Sequence, residues 1–111
     1  MNEIYSICKS VMKCIVTDEY QILEEQQALV RVPKEAIKRV LSEYNPKEKP
    51  VMPPDDYFEK AADIYRYTDG SGYHVDINLW YAFGESDLTL QLDIRKRAGQ
   101  LSFIIDDLHV L

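Results

Sequence analysis

The 111-residue sequence predicts an α+β domain, with N-terminal helices packed on one face of a roughly four-stranded antiparallel meander. Three observations lead there. Apolar residues recur at helical spacing through the first 44 positions. They alternate with polar residues from Tyr73 onward, and a proline-rich stretch separates the two patterns. The expected organisation is one domain over residues 1–111: a helical part (1–44), a connector (45–56) and an antiparallel sheet (61–111).

The first helix is expected over residues 3–16. Ile4, Ile7, Cys8, Val11 and Ile15 fall on one helical stripe. Thr17-Asp18 interrupts that stripe and is placed to cap a second, more polar helix from about Glu19 to Leu29. Pro33 suits the first position of a third helix, because its missing N–H needs no partner there. Ile37, Val40, Leu41 and Tyr44 continue that helix until Asn45-Pro46 stops it. Four of the five prolines lie between Asn45 and Asp56, which marks extended connecting chain.

A first, irregular strand is expected from Ala61 to Thr68, closed by the turn Asp69-Gly70-Ser71-Gly72. The next strand alternates: Tyr73, Val75, Ile77, Leu79, Tyr81 and Phe83 on one face, His74, Asp76, Asn78, Trp80 and Ala82 on the other. After a turn at Gly84–Asp87, Leu88, Leu90, Leu92 and Ile94 oppose Thr89, Gln91, Asp93 and Arg95. A short hairpin follows, with Gly99 at positive φ. In the last strand Leu101, Phe103 and Ile105 share a face, whereas Ile104, Leu108 and Val110 take the other parity. Either a bulge at Asp106-Asp107 re-aims the side chains or the strand end is covered on both faces.

Charge divides as the elements do. Residues 1–54 are neutral, and the whole net charge of −6 lies in residues 55–111. A negative surface repels nucleic acid and attracts basic proteins. The one basic run, Arg95-Lys96-Arg97, flanks a hairpin and reads as a solvated turn. No apolar span is long enough to cross a membrane, and no leader is evident. Cys8 and Cys14, six apart on a helix, match no metal knuckle or redox pair and read as reduced thiols of a cytoplasmic protein.

No nucleophile elbow, phosphate loop or dinucleotide fingerprint is present. Asp106-Asp107-Leu108-His109 invites a metal or proton-transfer reading, but neighbouring strand residues point to opposite faces. Asp107 and His109 share a parity and are expected to meet as a structural pair. His74 beside Asp76 reads as an exposed histidine. Trp80 is either an aromatic anchor within an acidic rim or is covered by a helix or the connector.

Leu79-Trp80, Glu85-Ser86-Asp87-Leu88-Thr89-Leu90 and the closing Ile105-Asp106-Asp107-Leu108-His109-Val110-Leu111 resemble a family of small bacterial α+β proteins. Its outline is similar to the NTF2-like and cystatin-like folds. Proteins of this size and shape recur among immunity proteins, including those of contact-dependent growth inhibition systems. Here Trp80-Tyr81-Ala82-Phe83 departs toward an apolar sequence. The resemblance implies an immunity protein that binds a cognate toxin, a basic nuclease domain, and blocks its active site. The expected contacts are Asp76, Trp80, Glu85, Asp87 and Asp93, with Asp106 and Asp107 as secondary candidates. It implies no catalytic residue, metal or cofactor, and a monomer or homodimer. The alternatives are an NTF2-like ligand-binding protein or enzyme and a homodimeric structural module.

Overall fold

The computed structural model describes residues 2–111. Four helices precede one four-stranded sheet: α1 (Asn2–Val16), α2 (Tyr20–Glu25), α3 (Lys34–Tyr44), α4 (Tyr57–Ala61), then β1 (Asp63–Arg66), β2 (Gly72–Tyr81), β3 (Gly84–Arg97) and β4 (Gln100–Val110). The strands lie in chain order, every neighbour antiparallel. This is the expected α+β arrangement.

The expected stripe of α1 buries Ile4, Cys8, Val11 and Ile15. Burial pushes the Cys8 thiol up to about 12, so it packs as a small apolar group and not as a nucleophile. Thr17-Asp18 ends α1 and does not cap α2, whose N-cap residue Glu19 makes no side-chain capping bond. Asp18 takes φ +60°, and the amides of Asp18 and Glu19 return to the carbonyls of Ile15 and Cys14. Those two crossed bonds form a Schellman ending. The second helix is also shorter than expected. Gln27 at φ +58° and bonds from Gln27 and Ala28 to the carbonyls of Glu24 and Leu23 close it the same way. Residues 26–33 then run as a strap beside β4, tied to it by the Ile105 N–H donating to the Ala28 carbonyl at 2.9 Å. Pro33 is the N-cap residue of α3 and not its first helical position.

The sheet's inner face buries Val75, Ile77, Leu79 and Tyr81 of β2, Leu88, Leu90, Leu92 and Ile94 of β3, and Ile105 and Leu108 of β4. They join the helical stripe in one core with Leu23 and Ile37. The β4 phase slip is a bulge. Leu92 pairs with Ile105 and Gln91 with Asp107, leaving Asp106 as the extra residue. Both parities therefore serve the core, one on each side of the bulge.

The β2–β3 turn lies earlier than the sequence suggested. Tyr81 pairs with Gly84, so Ala82-Phe83 forms a two-residue loop. Phe83, expected in the core, is exposed at the tip and stacks on Tyr81, with ring centroids 5.5 Å apart. The register recovers through an irregularity in β3, where Ser86 to Leu88 stand opposite Leu79. The buried Ser86 hydroxyl donates to the Leu79 carbonyl (2.6 Å) and accepts from the Leu88 N–H (3.2 Å), replacing ladder bonds lost there. The connector is not loose chain: Val51 donates to the Trp80 carbonyl at 2.8 Å and extends the β1 side of β2 by one bridge.

Candidate functional site

The helices cover one face of the sheet, and the other carries the chemistry. Register fixes its rows, because directly opposed residues share a face. Asp63, Asp76, Gln91 and Asp107 form one row across all four strands, and Tyr65, His74, Asp93 and Ile104 form the next. Asn78, Thr89 and His109 make a third.

At one end of this face sits a filled ion cluster. Asp93, expected at an exposed docking surface, is only 3% exposed. It accepts from the Tyr67 hydroxyl (2.8 Å) and Arg95 Nε (2.9 Å). Arg31 Nη1 lies 3.4 Å from Asp93 and 2.6 Å from Asp106. The Arg95 guanidinium stacks 4.7 Å above the Tyr67 ring. Asp93 is therefore corrected from contact residue to internal counter-ion, since burying a carboxylate unpaired is prohibitively costly. Burial pushes its pKa up, but Tyr67, Arg95 and Arg31 outweigh that and hold it below the ordinary carboxylate range. Its contribution to stability is thus complete above about pH 4 and is lost as the pH falls through the lower, folded-state value. The Asp93→Asn variant is expected to lose about 1.5 kcal/mol at pH 7. In urea unfolding, the gap from wild type should narrow at pH 3.

The remaining carboxylates are also engaged, to different degrees. Asp76 accepts from Gln91 (2.9 Å) and lies 2.7 Å from His74 Nε2, so His74 is held against it and is not free in solvent. Glu85 accepts from Tyr57 (2.8 Å) and Asn78 (3.1 Å). Burial and that carboxylate together push the Tyr57 phenol well above its usual range. Asp87 accepts from the Tyr44 hydroxyl. Asp107 Oδ1 accepts from the Leu108 N–H, while Oδ2 lies 3.0 Å from His109 Nδ1, so the expected pair meets. Trp80 is no free anchor. It is half-buried, bridged by Val51 of the connector and met edge-on by Tyr57 of α4, with centroids 5.3 Å apart.

Between the strands, a groove of about 340 Å³ is lined by Asp63, Tyr65, Asp76, Asn78, Asp87 and Leu111, among others. Among the described residues, no lysine or arginine pairs with Asp63, Asp76 or Asp87, and the ring of His74 lies against Asp76. Nor do these carboxylates converge: no three His, Cys, Asp or Glu groups among the described residues are placed to hold one metal ion. The acidic face therefore splits in two, one end neutralised from within and the other not.

Sequence reading missed Arg31, Asp63 and Tyr65. Arg31 stands in the apolar run Leu29-Val30-Arg31-Val32, 75 positions from Asp106, and no local signal joins them. Asp63 and Tyr65 follow from β1 register alone, since Asp63 pairs with Asp76 and Tyr65 with His74.

No helix among the described residues is long and apolar enough to cross a membrane. No curated protein and no solved structure matches the chain. Residues 12–111 match the model of a domain of unknown function, DUF7668, and the chain belongs to that family.

Proposed function

We propose that this protein is an immunity protein acting inside the cell, where its thiols stay reduced. It would dock the open sheet face onto a cognate toxin, a basic nuclease domain, and cover its active site. One observation carries the reading: among the described residues, the groove formed by Asp63, Asp76 and Asp87 has no arginine or lysine of its own. Uncompensated negative charge on a surface steers a cationic partner into register and speeds encounter. Tyr65, 54% exposed beside the groove, supplies aromatic surface that slows release. The inner face is filled by Val, Ile and Leu side chains, which supports binding over turnover of a small substrate.

The test is co-expression with the toxin encoded beside this gene. Growth rescue and a co-eluting complex are expected. The Asp63→Lys, Asp87→Lys double variant should weaken binding at least tenfold in low salt, with a smaller loss near 0.5 M salt. Absence of both rescue and complex with the wild-type protein overturns the reading.

A further inference from the structure

The two borders of the sheet are finished differently. On β4 the Ile105 N–H is already taken, by the Ala28 carbonyl. β1 lies at the other border and pairs with β2 alone. We infer that the outer edge of β1 is a strand-addition site, which takes an antiparallel extended segment of the partner with basic residues at alternate positions. This rests on the reading of the open face as a docking surface and says how its groove is approached.

Register decides which backbone groups are free. The Tyr67 N–H donates to the Gly72 carbonyl at 3.0 Å, so these two residues form a hydrogen-bonded pair. Such pairs alternate along an antiparallel ladder. Tyr65–His74 and Asp63–Asp76 therefore bond in the same way, and the N–H and C=O of Ile64 and Arg66 point away from β2. Among the described residues, no backbone bond outside the ladder reaches Ile64 or Arg66. Three of the four residues of β1 are exposed, and Ile64 is half-buried. The strand has no bulge and no proline, two devices that blunt an edge.

The flanking side chains say what fits. Asp63 and Tyr65 lie on the open face beside the groove, and Ile64 and Arg66 lie on the helical face. A residue added opposite Asp63 meets an exposed carboxylate, with Asp76 next to it across the ladder. No lysine or arginine among the described residues pairs with either, so a basic residue suits that position. A residue added opposite Ile64 meets a side chain packed on the core, which an apolar group covers. A second copy of this chain does not supply this pattern. Residues opposed across a ladder share a face, and the open-face residues of this edge are Asp63, Tyr65 and Tyr67. Asp63 of one copy therefore opposes one of these three in the other, never a cation, and two acidic grooves are brought together. With a basic segment, main-chain bonds give the affinity and alternate side chains the selectivity.

The probe is a capped octapeptide of alternating lysine and valine, titrated in low salt against the isotope-labelled protein. Amide shifts are expected at residues 63–67, and exchange of the Ile64 and Arg66 amides should slow at saturation. Methylating the backbone nitrogens of the valines removes the bonds to β1 and should weaken binding about tenfold. Methylating those of the lysines, which point away from β1, should change it by less than about threefold. Arg66→Pro removes one outward N–H, leaves the ladder to β2 intact and should weaken binding about fivefold, whereas Arg66→Ala should not weaken it. If Arg66→Pro does not unfold cooperatively, the two methylated peptides decide alone. No peptide binding, or equal binding of the two methylated peptides, overturns the site. A doubled mass by light scattering that Arg66→Pro halves assigns the edge to a second copy and overturns it too. Toxin rescue that a folded Arg66→Pro variant leaves unimpaired overturns strand addition alone, whereas no rescue by the wild type counts against the open face as a docking surface.

Discussion

Replacing Gly72 with alanine is expected to cost about 3 kcal/mol, because the new methyl has nowhere to go. A Cβ built at Gly72 lies 1.9 Å from the Ile94 carbonyl oxygen and 3.0 Å from the Arg95 Cα. Both are backbone atoms of the neighbouring strand, so no rotamer change relieves the clash, and the first β2–β3 pairs must separate. Urea unfolding should show a lower midpoint. Hydrogen exchange should quicken first at Tyr73 and Ile94, the next pair along, while Asn78 and Thr89 near the far end of the ladder keep their protection. Unchanged stability would mean that the two strands do not approach this closely in solution.

A similar or larger loss, about 3 to 4 kcal/mol, is expected for Leu92→Ala. Leu92 is fully buried at the centre of the inner face, flanked by Val75 on β2 and Ile105 on β4. It also sits opposite the site where β4 changes phase, so both sides of the bulge pack around it. Truncation removes buried methyl groups and leaves a cavity that β strands cannot easily close. Leu92→Met, which keeps the volume, should cost under about 1.5 kcal/mol. If the two substitutions are equally mild in a urea or thermal melt, the core is not organised around this position.

Much of the architecture was legible because burial imposes a period. Alternation in β2 and β3 and the stripe of α1 can only be satisfied by one layer of helix on one face of sheet. The shift of parity around Asp106 was legible for the same reason, since Ile105 and Leu108 both need the core. What escaped depended on interactions the sequence does not display locally. Schellman endings at Asp18 and Gln27 use left-handed residues that are not glycine, so no composition signal marked them. Ser86 moved the β2–β3 turn by satisfying an irregular stretch of strand, and this put Phe83 outside. The helix α4 falls almost wholly between the expected connector and the expected first strand, in residues given no element, and only tertiary contact with Trp80 reveals what Tyr57 is for.

The open sheet face was legible as a sign of charge and not as a list of contacts. Carboxylates were rightly placed on the outer parity, as at Asp76 and Asp93. Which of them stay available depends on Arg31, Tyr67, Tyr57 and Tyr44, all brought in from elsewhere in the chain. An acidic pattern on a strand therefore says that negative charge will be near a surface. It does not say whether the fold has already neutralised it.

The crossing of the strap at Ile105 has a consequence for how copies of this molecule coexist at high concentration. An eleven-residue border strand with bare amides and carbonyls would recruit a like strand from a neighbour and seed stacking. Here the Ala28 carbonyl occupies the middle of that border, and the extra residue beside it kinks the chain. Only two short, misaligned runs remain, each too brief to template ordered growth. The same few atoms that set the phase of β4 thus act as a guard against filament formation.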